Sequence, residues 1–125
     1  MKKIIETQNA PAPIGPYSQA VLANNTLYVS GQIAINPKNG ELRTHDLETE
    51  TRQVMANMEA VLLEGGMHWK NVVKCSIFLS SMDSFAQVNA IYAEYFKEDP
   101  PARETVEVSK LPKGVNVEIS CIAVV

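Results

Sequence analysis

No stretch of this 125-residue sequence approaches the roughly 18 consecutive apolar residues of a membrane-spanning helix, so that class is excluded. Residues 1–5 include two lysines but run into Glu6, Thr7, Gln8 and Asn9 before an apolar signal segment can form, and a soluble cytoplasmic protein is expected. Positive charge is not in excess either. Eleven Lys and Arg against 14 Asp and Glu leave a net charge of -3, which provides no general field for a phosphate backbone and disfavours nucleic acid as a partner. There are only two cysteines, Cys75 and Cys121, set in apolar stretches without CxxC spacing; they read as reduced core thiols rather than a disulfide framework. His, Cys and carboxylate residues nowhere recur at metal-ligand spacing, so no metal is expected. Ser30 has no Ser-His-Asp pattern around it, and His45 and His68 look like solvated connectors, which disfavours serine-nucleophile chemistry.

What is present is enough apolar material, 46% of residues, to fill the core of one domain spanning residues 1–125. No segment repeats another, and the proline-containing stretch at 10–16 is too short to link domains. Alternation predicts a strand over 26–35, with Leu27, Val29, Ile33 and Ile35 on one side and Tyr28, Ser30, Gln32 and Ala34 on the other. A turn at Pro37, Lys38, Asn39 and Gly40 follows. Leu47, Val54, Met55, Met58, Val61 and Leu62 recur at helical spacing between Asp46 and Glu64, with acidic residues at the start and Gly65-Gly66 as a left-handed stop. A strand with Val73, Cys75, Ile77 and Leu79 facing a core comes next, then a helix over about 83–97 striped by Phe85, Val88, Tyr92, Tyr95 and Phe96. Strands at about 103–108 and 116–124 complete an α+β sandwich.

Two helices can cover only one face of such a sheet. If Val117, Ile119, Cys121, Ala123 and Val125 face the helices, Glu118, Ser120, Ile122 and Val124 face away. If Val106 and Val108 face the helices, Arg103, Thr105 and Glu107 face away and join Ser30 and Gln32. Phe78, Ile122 and Val124 are too apolar to leave bare, which predicts an oligomer with Arg103, Ser30 and Glu118 near a subunit boundary.

The segments GPYSQA at 15–20, SGQI at 30–33, VNAIYAEYF at 88–96, PAR at 101–103 and LPKGVNVEISCIA at 111–123 resemble, in order and nearly end to end, the RidA/YjgF type of reactive-intermediate imine deaminase. The resemblance implies a chorismate-mutase-like fold, a mixed sheet with two helices on one face, assembled as a homotrimer with three sites between subunits. It implies that Arg103 grips a substrate carboxylate, for which a planar guanidinium fork is suited. By the same resemblance Tyr17, Ser30, Gly31, Asn89 and Thr105 contact the substrate, and Glu118 positions or activates water. Thr105 stands where many close members have Cys, so only the backbone of that position carries over. Other readings of the same residues stay open. Arg103 would equally suit an ion pair with Glu118 or Glu107, Tyr17 an anchor of its Gly-Pro loop, and Asn89 a cap or bridge.

The activity so implied is cofactor-free hydrolysis of 2-aminoacrylate, 2-iminopropionate and related 2-imino acids to 2-oxo acids and ammonia, protecting pyridoxal-phosphate enzymes from damage. The alternatives are an endoribonuclease that inhibits translation, or a non-catalytic trimeric binder of 2-oxo acids with a regulatory or chaperone-like role.

Overall fold

The computed structural model describes residues 1–125. Its strands are β1 (Lys2–Ile5), β2 (Ala20–Ala23), β3 (Thr26–Gln32), β4 (Val72–Leu79), β5 (Ala102–Glu107) and β6 (Val117–Val124), and its helices are α1 (Leu47–Glu64) and α2 (Phe85–Ala93). The strands form one mixed sheet in the order β1-β2-β3-β6-β4-β5. Only β4 and β5 run parallel, joined by the crossover that contains α2. This is the mixed sheet with two helices on one face that the RidA/YjgF resemblance implies. No helix is long and apolar enough to cross a membrane.

The core lies between the helices and one face of the sheet. Leu27 and Val29 of β3, Cys75, Ile77 and Leu79 of β4, and Val117, Ile119, Cys121 and Ala123 of β6 meet Val54, Met55, Met58, Val61 and Leu62 of α1 and Val88 and Tyr92 of α2. Both cysteines are free and buried. The ends of α1 follow from the sequence: the Asp46 carboxylate accepts from Thr49 N at 2.7 Å, and Gly66, at φ +77°, supplies the left-handed stop. Gly65 has ordinary φ and is needed for another reason, since a Cβ there would sit 2.8 Å from Leu27 Cδ2.

Three polar side chains of α1 are buried; Thr51 Oγ1 donates within the helix to Leu47 O at 2.8 Å, and the other two, seven residues and two turns apart, reach outside it. Glu50, fully buried, reaches the start of β6, and Asn57, 1% exposed, donates to Ile33 O and Ile35 O at 3.0 Å each.

Several elements depart from simple alternation. Strand β3 ends at Gln32 instead of running to residue 35, because it bulges: the three steps from Val29 to Gln32 face the two from Cys121 to Ile119 on β6. The bulge turns Gln32 to the buried side, while Ile33 and Ile35 leave the sheet and cluster with Val115. A second irregularity, at Val72 to Lys74, buries Val72 and leaves Val73 44% exposed, reversing its expected placement. Helix α2 begins after the 3-10 turn Met82–Ser84 and stops at Ala93, short of residue 97, as Glu94 N closes tightly onto Ile91 O. Strands β1 and β2 are additions, the latter joined to β3 by Asn24 and Asn25, both at positive φ.

Strand β5 reverses the predicted faces. Its parallel register sets Arg103 beside Cys75, Thr105 beside Ile77 and Glu107 beside Leu79, so these three lie on the helix side. Ala102, Glu104 and Val106 take the open side, where Val106 is 39% exposed. The open face thus presents Tyr28, Phe78, Val106, Ile122 and Val124 around a polar group in which Lys74 pairs with Glu104 at 2.9 Å and Ser76 donates to the same carboxylate.

Candidate functional site

Tyr17, Ser30, Gly31 and Glu118 converge on one cleft of about 370 Å³, walled further by Ile14, Ile33 and Pro112. The loop that carries Tyr17 is stitched to β3: Ser30 Oγ donates to Ser18 O at 2.6 Å and Ser30 N donates to Gln19 O at 2.9 Å. The Ser30 hydroxyl proton is therefore committed, and only its lone pairs face outward chemistry. Tyr17 Oη accepts from Ile14 N at 3.2 Å, which sets the phenol over the loop while half its surface stays exposed.

Glu118 lies across the β3 bulge. A Cβ on residue 31 would overlap Glu118 Oε2 and come within 2.7 Å of Glu118 Cδ, so Gly31 is the residue that leaves room for this carboxylate. Burial raises the Glu118 pKa above the usual carboxylate value, with no hydrogen bond or neighbouring charge of its own chain opposing the shift.

Arg103 and Asn89 belong to a second cleft of about 440 Å³, lined also by Tyr92, Ala93, Phe96, Pro100 and Pro101. Asn89 projects from α2, and its Oδ1 accepts from Arg103 Nη1 at 2.6 Å. The guanidinium carbon sits 5.0 Å from the centre of the Tyr92 ring and 5.8 Å from that of Phe85, within reach of cation–π attraction. None of the ion pairs in the chain includes Arg103. The pairings with Glu118 and Glu107 that the sequence left open are absent: Glu118 is on the other face, and Glu107 instead accepts from Met82 N at 2.8 Å. Arg103 is thus a half-buried cation oriented by a neutral amide, with four of its five N–H donors uncommitted inside the chain.

Thr105, one rung further along β5, points to the helix side but does not line this cleft. Its hydroxyl is buried without a partner, as is that of Tyr92. Burial pushes the Tyr92 phenol up, and the adjacent Cys75 thiol is raised for the same reason.

The seven sequence-derived residues therefore fall into two groups in one chain. Tyr17, Ser30, Gly31 and Glu118 form one; Asn89 and Arg103, with Thr105 nearby, form the other. Pairing across β6, β4 and β5 puts Glu118, Phe78 and Val106 in one row on the open face and Cys121, Cys75 and Arg103 in another on the helix face. Residues missed by sequence reasoning are the walls: Tyr92, Phe96, Pro100 and Pro101 around the cation, and Ile14, Ile33 and Pro112 around the carboxylate. The signals were inside the motifs themselves: Tyr92 and Phe96 lie in VNAIYAEYF, Pro101 in PAR, Ile33 in SGQI and Pro112 in LPKGVNVEISCIA.

A family model described as endoribonuclease L-PSP matches residues 7–125. A RutC family protein of Pyrococcus horikoshii is 51% identical over 123 residues, 98% of either chain. A human protein named 2-iminobutanoate/2-iminopropanoate deaminase is 42% identical, covering 99% of this chain and 90% of its own. Among solved structures, a Rid-family protein of Yersinia pestis matches with a TM-score of 0.97 and 55% identity over 100% of both chains.

Proposed function

The chain belongs to the RidA/YjgF (Rid) family, and from that premise we propose that it hydrolyses small 2-imino acids and their enamine forms to 2-oxo acids and ammonia. The observation that carries the reading is Arg103, a half-buried guanidinium held by Asn89 and left without a carboxylate. Such a group is built to receive an anion, and its planar fork suits a substrate carboxylate better than a point charge would.

Arg103 and Glu118 cannot reach one small substrate from a single chain, because they lie on opposite faces of the sheet. We therefore assign the complete site to the junction of two copies, in a homotrimer whose open sheet faces pack together. The apolar Phe78, Ile122 and Val124 on that face support this assembly.

In the completed site Arg103 fixes the carboxylate and so aims the neighbouring imine carbon. Protonation of the imine nitrogen makes that carbon electrophilic. A water held by Glu118 adds to it, the carboxylate takes the water's proton, and the resulting carbinolamine releases ammonia as its C–N bond breaks and the C=O bond forms. A carboxylate whose proton affinity is raised by burial is a stronger base for this step. Gly31 lets it approach, Tyr17 and Ser30 wall the cleft, and the backbone at Gly31 and Thr105 orients the nitrogen.

The test is release of ammonia and 2-oxo acid from 2-iminopropanoate and 2-iminobutanoate generated freshly by an amino-acid oxidase. Acceleration over the spontaneous rate is expected. No acceleration, with 2-oxo acid bound at Arg103, would replace this reading with a non-catalytic binder. Steeply salt-dependent RNA binding with cleavage would replace it with the activity that the family description carries.

A further inference from the structure

Glu50 is a charged side chain with no solvent exposure at all and no cation beside it, since none of the chain's ion pairs includes it. A carboxylate in that position persists only where N–H groups replace its water. Three do: Asn116 N and Val117 N donate to Oε2 at 2.7 and 3.0 Å, and Asn116 Nδ2 donates to Oε1 at 2.8 Å. All three belong to the two residues immediately before Glu118. Asn116 is also held from the other side, its carbonyl accepting from Ser80 N at 3.1 Å.

The clamp acts where tolerance is small. Glu118 passes so near Gly31 that a single methyl group would collide with it. The other wall of that contact, the chain leaving β3, is held by the same helix through Asn57 and the carbonyls of Ile33 and Ile35. A slip of β6 at residues 116–117 would move the Glu118 carboxylate against the bulge or away from the cleft. A leucine or methionine at position 50 would fill the core at less desolvation cost, so the charge marks a demand on the backbone that packing alone does not meet.

We propose that Glu50 is a positioning residue for Glu118, setting the catalytic carboxylate by clamping the backbone amides that precede it. The inference rests on the hydrolytic reading above. Its test is a double-mutant cycle on the full-length assembled protein with 2-iminobutanoate as substrate. Glu50→Met keeps the volume but offers no strong acceptor, and should lower kcat by about tenfold or more while KM changes less than about threefold. Glu50→Gln keeps one oxygen for both backbone amides and should stay within about threefold of wild type. In a Glu118→Gln background, Glu50→Met should cost less than about twofold. An equal loss in both backgrounds, a loss confined to KM, or wild-type kcat in Glu50→Met overturns the inference while the reaction stands. If Glu50→Met does not fold, Asn116→Ala, which removes the side-chain donor to Glu50 together with the acceptor for Ser80 Oγ at 3.3 Å, should lower kcat by about two- to fivefold, again only when Glu118 is present, whereas Ser80→Ala, which removes only the second of these bonds, should not. Full activity in Glu118→Gln overturns the assignment of the base, and the inference with it.

Discussion

An arginine that ends on an amide keeps its whole charge for a ligand, and this makes Arg103 separable from the stability of the fold. Arg103→Ala removes a cation that no carboxylate of the chain uses. It should cost about 2 to 5 kcal/mol of transition-state stabilisation, roughly 30-fold to several-thousand-fold in kcat/KM, with little change in melting temperature. Arg103→Lys keeps the charge without the fork and should recover only part of the rate; near-complete recovery would reduce the role to simple electrostatics. Glu118 behaves in the opposite sense. Burial raises its pKa in the folded chain, so folding binds its proton more tightly than the unfolded state does, and its contribution to stability is present at low pH and lost as pH rises through the folded value. Glu118→Gln should therefore raise the melting temperature at pH 7, with the gain shrinking as pH falls through the usual carboxylate range near 4.5. Thermal melts across that range check the sign. A loss of stability at pH 7 would mean that the carboxylate is already paired in the assembly.

Among the elements, the bulged strand β3 makes the sharpest demand on one side chain. Gly31→Ala should lower activity sharply with little loss of stability, since the new methyl takes the space of the Glu118 carboxyl group and the end of that flexible side chain must swing away from the cleft. Comparison of its denaturation midpoint and kcat with those of Ser30→Ala, which loses only the bond to Ser18 O, isolates the steric cause. The elements themselves differ in how far the sequence reveals them. Helix α1 was legible to its last turn, because Asp46, the apolar stripe and Gly66 are local signals. Strands β4 and β6 were legible except at Val72 and Val73, because both lie inside the sheet and the burial rule governs them. Strand β5 was not: at the sheet edge even Val106 is exposed, so valine loses its meaning as a marker of the core and Arg103 came out on the wrong face. The bulge at Ser30 and Gly31 was equally hidden, since an inserted residue is defined by the partner strand and not by its own neighbours. The seven candidate positions were legible as residues through motif resemblance. Their division between two faces of the sheet was not, because it depends on the parallel register of β5 with β4.

For the molecule as a whole, the division between faces makes a prediction about mixtures. If Arg103 of one copy serves Glu118 of another, inactive Arg103→Ala and Glu118→Gln proteins, unfolded and refolded together at equal amounts, should regain about a quarter of wild-type activity, the statistical share of junctions with both residues intact. Activity that stays at the level of either variant alone would place both groups in one chain's site. Sedimentation of the wild-type protein at micromolar concentration should give a trimer mass, and a monomer there would remove the basis of the shared site. The order of the strands has a further consequence, in time instead of space. The last strand, β6, lies in the middle of the sheet between β3 and β4, so its residues 117–124 must leave the ribosome before the two halves can join. Until then β3 and β4 each present an unpaired edge, and a nascent chain stalled short of residue 117 is a template for aggregation.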